Sequence, residues 1–195
     1  MDFFPPDPPE DELEPPEIEQ DPRWNAPVDE VPAIVPIGEA LAVTDTVAIV
    51  VSHARVFQNG VEIVIDRRSR RGDRSRREWE ERQWSSHASF PGGDTDRLRY
   101  GMALGDGQHL LLDGPGWNPD EKPAEAHSLA PTGGGGSGGP DYTVYLDAMW
   151  LYPLRPEGPL EIVTQWPAEG IPESRVVLDG GALRARAADS RKVWE

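Results

Sequence analysis

The chain has 195 residues, 19 Lys+Arg against 35 Asp+Glu, a formal net charge of −16 and no cysteine. The missing thiols exclude disulfide scaffolds, thiolate zinc sites and cysteine nucleophiles, and no apolar run approaches the roughly 20 residues of a membrane helix. With 20 Gly and 21 Pro, turns and short strands are expected over long helices.

Residues 1–31 hold eleven acids and one base, Arg23. Prolines and self-repelling acids cannot bury enough apolar area to offset chain entropy, so residues 1–35 are expected to form a disordered acidic arm. Phe3, Phe4 or Trp24 could anchor it to a basic partner. The first six residues lack the basic start and apolar stretch of a secretory signal, which makes the cytoplasm the expected compartment.

From residue 36 the pattern is that of a β domain, expected over 36–195. Short β-branched runs at 41–43 and 47–57 read as strands. Asn59-Gly60 predicts a type I′ hairpin turn into a strand over 61–66, with Val61, Ile63 and Ile65 facing the core. Residues 67–96 are read as a long polar loop, with Pro91-Gly92-Gly93-Asp94 returning the chain to the sheet. Within it, Ser75 and Glu78 have the form of a capping box opening a helix over 76–84, with Trp79 on it and a Glu78–Arg82 pair. Strands follow at 98–104 and 109–112 around Asp106-Gly107. A second long loop is expected over 114–141, ending in the glycine run 133–139. Strands at 142–152, 160–166 and 175–178 come next, with a turn at 155–158 between the first two, and a helix at 182–194 closes the chain. The spacing predicts an all-β fold, a single antiparallel β-sandwich, immunoglobulin-like in broad architecture. Its expected core is Val47, Ile49, Val51, Val61, Ile63, Ile65, Leu98, Leu110, Leu112, Val144, Leu146, Ile162, Val163 and Val176.

No catalytic constellation is concentrated in the sequence. The glycine run lacks the Lys of a phosphate loop, and Gly135-Gly136-Ser137-Gly138-Gly139 leads towards a strand rather than a helix, unlike a nucleophile elbow. His53, His87, His109 and His127 show no metal-ligand spacing, and Asp94-Thr95-Asp96 is too short to define a metal site. No cofactor is expected. Two groups remain as candidate binding residues. Arg67, Arg68, Arg70, Arg71 and Arg74, with Arg76 and Arg77, form a basic run. It is read first as a solvated or internally neutralised loop, next as a surface for an anionic partner, and last as a nucleic-acid contact, which the acidic body disfavours. Trp150, Tyr152 and Trp166 form either an aromatic platform or core packed against the C-terminal helix, and burial is the preferred reading. As a platform they would serve a hydrolase or carbohydrate-binding module, with Asp147 or Glu161 beside them.

The segments Trp24-x-x-Pro27, 41–48, 54–62, 133–139, 150–161 and 166–174 resemble a family of actinobacterial cytoplasmic proteins with no assigned activity. That resemblance implies one domain and transfers no catalytic residue. The function expected is a non-catalytic module recognising a protein or other macromolecule, with no membrane contact.

Overall fold

The computed structural model describes residues 20–87, 96–112, 127–154 and 158–194, with the backbone alone described over 84–87. These residues are mostly β, paired antiparallel throughout, with two short α-helices. The elements are β1 (Glu30–Val31), β2 (Ala33–Val43), β3 (Val47–Val56), β4 (Val61–Arg70), α1 (Arg76–His87), β5 (Arg99–Leu104), β6 (His109–Leu111), β7 (Ser128–Gly138), β8 (Tyr142–Tyr152), β9 (Pro159–Trp166), β10 (Ile171–Asp179), α2 (Gly180–Ala185) and β11 (Arg191–Lys192). They pair as a five-stranded sheet in the order β2-β3-β4-β8-β7, a four-stranded sheet in the order β10-β9-β5-β6, and a two-stranded ribbon β1-β11. No helix among the described residues is long and apolar enough to cross a membrane.

The central strand β4 shows why the larger sheet forms. Its alternation puts Val61, Ile63 and Ile65 on one face, and all three are buried as expected. Ile63 lies opposite Ala54 on β3 and Met149 on β8. Residues of both sheets share one buried cluster, running from Ile49, Val51 and Ile63 to Met102, Leu160 and Ile162. Each such side chain contributes about 1.5–3 kcal/mol on burial. Two expected core residues of β8 are placed otherwise. Register with β4 turns the odd positions of β8 inward, so Leu146 is exposed and Val144 half-buried.

Several local expectations require correction. The β3–β4 hairpin is present, but Gln58, Asn59 and Gly60 have no positive φ, so the turn is not type I′. Tertiary bonds hold it instead: the Gln58 N–H donates to the Glu30 carboxylate at 2.7 Å, and the Leu154 N–H donates to the Asn59 carbonyl at 2.8 Å. Gly60 is required because a Cβ there would enter the Trp150 ring. Arg67, Arg68 and Arg70 belong to β4, not to a loop.

The glycine run is an edge strand, not a flexible loop. Gly133 to Gly138 continue β7 in register with β8, and a Cβ on Gly136 would collide with the Tyr145 ring. The missing side chains let a neighbouring aromatic lie across the strand, which compensates for the poor strand propensity of glycine.

The C-terminal helix is shorter than expected. α2 begins on the Asp179 cap, whose carboxylate accepts from the Ala182 N–H at 3.0 Å, and a 3-10 turn ends where Ser190 bonds back to the Ala187 carbonyl. The chain then extends as β11. The capping box of α1 forms as read: the Ser75 N–H donates to Glu78 at 2.8 Å and the Glu78 N–H to the Ser75 hydroxyl at 3.3 Å. Its ion pairs are Arg76–Glu80 and Arg77–Glu81, whereas Arg82 turns inward to Glu169 instead of pairing with Glu78.

Of the expected arm, residues 1–19 lie outside the described residues, as do the turns at 91–94 and 155–157 and residues 114–126 of the loop expected at 114–141, the rest of which is largely β7. Residues 20–35 are placed: they cross one end of the larger sheet, form β1 and enter β2.

Candidate functional site

The basic run divides between the two faces of β4 by strand parity. Arg67 points inward and is buried. Its Nε donates to Asp147 Oδ2 at 2.8 Å and its Nη2 to Oδ1 at 3.2 Å, while the Tyr100 hydroxyl donates to Oδ2 at 2.9 Å. The guanidinium lies 4.6 Å from the Tyr145 ring centroid and 5.6 Å from that of Trp166. Burial works against the charge on Arg67, but the hydrogen bond and negative charge of Asp147 outweigh it and raise the pKa. The Tyr100 phenol is pushed well above its ordinary range, first by burial and then by the charge of Asp147, with Arg67 opposing. Next to this cluster, Glu169 takes Arg74 at 2.9 Å and Arg82, and Arg82 also stacks 5.2 Å from Trp166 and 5.4 Å from Trp79. These groups pin α1 to the sheets. Both Asp147 oxygens are therefore engaged, Oδ1 by Arg67 and Oδ2 by Arg67 and Tyr100.

The outward arginines differ. Arg68 pairs with Asp66 at 2.7 Å and Arg71 with Asp141 at 2.8 Å. Arg70 is the one member of the run with no carboxylate partner among the described residues; its Nε donates to the Asp45 main-chain carbonyl at 2.5 Å. It lies opposite Tyr142 on β8, while Arg68 lies between Ala48 and Val144. Together with Thr44, Asp45 and Thr46 these residues line a groove of about 510 Å³, within the size range of ligand sites. Small Ala48 and half-buried Val144 make its floor, and exposed Arg68, Arg70 and Tyr142 make its walls.

The aromatic residues Trp150, Tyr152 and Trp166 do not form one platform. Trp150 is fully buried on the outer face of β8, edge-on to Phe57 with ring centroids 5.4 Å apart. Tyr152 is half-buried two residues on. Trp166 is buried on the other sheet, over Arg67 and Arg82. Trp150 and Trp166 are thus core, but the cover over Trp150 is the N-terminal segment rather than α2, and Trp194 is exposed. Glu161, the second candidate carboxylate, is held by Arg175 at 2.8 Å.

Sequence reasoning missed Tyr142, Tyr100 and Glu169 as members of these clusters. Only the β4–β8 pairing places Tyr142 beside Arg70, and nothing local in the sequence encodes that pairing. Among the described residues no group of three or more His, Asp or Glu is placed to hold a metal ion. No family model, curated protein or solved structure matches the chain.

Proposed function

We propose that the chain is a non-catalytic interaction module that docks a carboxylate-bearing segment of a protein partner in the groove formed by Arg68, Arg70, Tyr142 and Val144. The observation that supports this reading is the pairing of the basic run: Arg67, Arg68, Arg71, Arg74, Arg76 and Arg77 each have a carboxylate, and Arg70 on the groove wall has none among the described residues. A carboxylate accepting from Arg70 would gain a charge-assisted bond, and Tyr142 offers a rigid aromatic contact of the kind enriched at interfaces. Asp45 on the rim would select against an anion approaching from the turn side.

The test compares wild type, Arg70→Glu and Arg76→Glu in binding to glutamate-rich peptides at low salt and in partner capture. Arg70→Glu should abolish both signals, while Arg76→Glu, on the exposed face of α1, should leave them. Equal loss in the two variants would reduce the effect to bulk charge and sink the reading.

Within the same proposal, the two sheets close on their shared cluster as a single sandwich, immunoglobulin-like in broad architecture, and the protein works in the cytoplasm as the actinobacterial resemblance implies. Full amide exchange of the Ile162 strand without exchange of the Ile63 strand would break the single-sandwich part.

A further inference from the structure

Residues 21–31 cross the outer face of the larger sheet at the end remote from Arg70. Five strands at about 4.8 Å spacing are about 19 Å across, a distance that eleven residues span with ease. The segment touches successive strands through polar bonds. The Glu30 carboxylate accepts from Gln58 N–H in the β3–β4 turn, Trp150 Nε1 on β8 donates to the Pro22 carbonyl at 2.9 Å, and Ser128 Oγ on β7 donates to the Arg23 carbonyl at 2.9 Å. Its far end is tied by the short β1–β11 ribbon and an exposed Lys192–Asp29 pair at 2.6 Å.

Two features make this more than a covering. Trp150 and Ser128 read two consecutive main-chain carbonyls, those of Pro22 and Arg23, the chemistry by which a surface recognises a peptide backbone. The segment they read also carries its own fold. Asp21 accepts from the Arg23 N–H at 2.9 Å and from its guanidinium, and its carbonyl accepts from Trp24 N–H at 3.1 Å. A proline-led turn closed by its own Asp is organised before it docks, which lowers the ordering cost of binding.

We propose that residues 21–31 are a displaceable strap, and that the Trp150–Ser128 floor beneath it docks a proline-led turn of a protein partner, for which the strap is the resident stand-in. An incoming segment must present an acidic residue, a proline and two free successive carbonyls. The closed strap lowers the apparent affinity for that segment by the fraction of time the floor is open.

The test uses the full-length chain and a dye-labelled peptide of residues 20–31, read by fluorescence anisotropy. Asp21→Ala unties the turn of the resident strap without touching the floor, and should tighten peptide binding about tenfold or more over wild type. Lys192→Ala, which frees the other end, should act in the same direction. Adding Ser128→Ala to Asp21→Ala should remove the gain, and Arg70→Glu should leave it intact, which separates this site from the groove proposed above. Equal affinity in wild type and both loosened variants, or a gain that survives Ser128→Ala, overturns the proposal. So does a concentration-dependent dimer that the peptide dissociates, because that assigns the floor to a second copy of the chain.

Discussion

At one end of the outer face of the larger sheet, the Trp150 indole lies under residues 21–31, beside the Phe57 ring and opposite the buried Glu62; at the other, Arg70, Arg68 and Tyr142 stand around a groove that no described residue covers. Both ends come from the same alternation on β4 and β8. The difference lies in what sits at the even positions. Where they are Glu62 and Trp150, removal from water demands partners, and Arg55 at 2.5 Å, Thr132 at 2.6 Å and the Pro22 carbonyl supply them. Where they are Arg70 and Tyr142, solvent satisfies the polar atoms and no cover is needed. Coverage therefore follows the cost of exposing each end: the end that is cheap to expose stands open, and the costly end is bare only while its strap is displaced.

The hardest blow to this contrast is Trp150→Ala. It empties a fully buried ring site and orphans the Pro22 carbonyl, and should cost about 3–5 kcal/mol in urea unfolding. A smaller loss would mean that the strap collapses into the space. Asp147→Ala attacks the foundation of the open end from the inner face. It leaves the buried Arg67 without a counter-charge and the Tyr100 hydroxyl without an acceptor, for about 3 kcal/mol. Replacing Arg67 and Asp147 together with leucines should cost less than the sum of the single changes, as measured by a double-mutant cycle.

Gly136→Ala sharpens the same point at about 1 kcal/mol, since its methyl group must push Tyr145 off the edge strand and so off Arg67. The glycine run shows where local reading of the sequence stopped. Its composition is that of a linker, and only the register with β8 reveals that an aromatic neighbour occupies the missing side-chain space. The alternating strands 61–66 and 142–152, the turn at Asp106-Gly107 and the Ser75–Glu78 cap were legible because each is written in residues close in sequence. The β4–β8 and β5–β9 pairings, the inward turn of Arg67 and Arg82, and the strap over Trp150 join residues 56 to 128 positions apart. Parity decides which arginine is buried, and parity is fixed by a partner strand that the local sequence does not identify.

Tyr100 gives the contrast a pH signature. Burial raises its folded-state pKa, so the folded chain keeps a proton that the unfolded chain releases above about pH 10. The unfolded state then binds fewer protons, and stability falls as pH rises past that point. In an alkaline absorbance titration, one of the four tyrosines should ionise only as the protein unfolds. Tyr100→Phe should remove that late step and flatten the alkaline loss of stability. A late step that persists in Tyr100→Phe would place the protected phenol elsewhere.

The smallest expected effect on stability separates a surface kept for folding from one kept for docking. Arg70 is exposed and holds one main-chain carbonyl, so Arg70→Ala should shift unfolding by no more than about 0.5 kcal/mol. Its partners on the run are bound up in pairs whose removal leaves a carboxylate behind; Arg70 leaves none. If Arg70→Ala were instead as costly as Asp147→Ala, the side chain would be part of the framework, and its freedom from a carboxylate would carry no meaning for binding. If it proves neutral for folding while lowering affinity for glutamate-rich peptides, the one arginine of the run without a carboxylate among the described residues is retained for a charge that those residues do not supply.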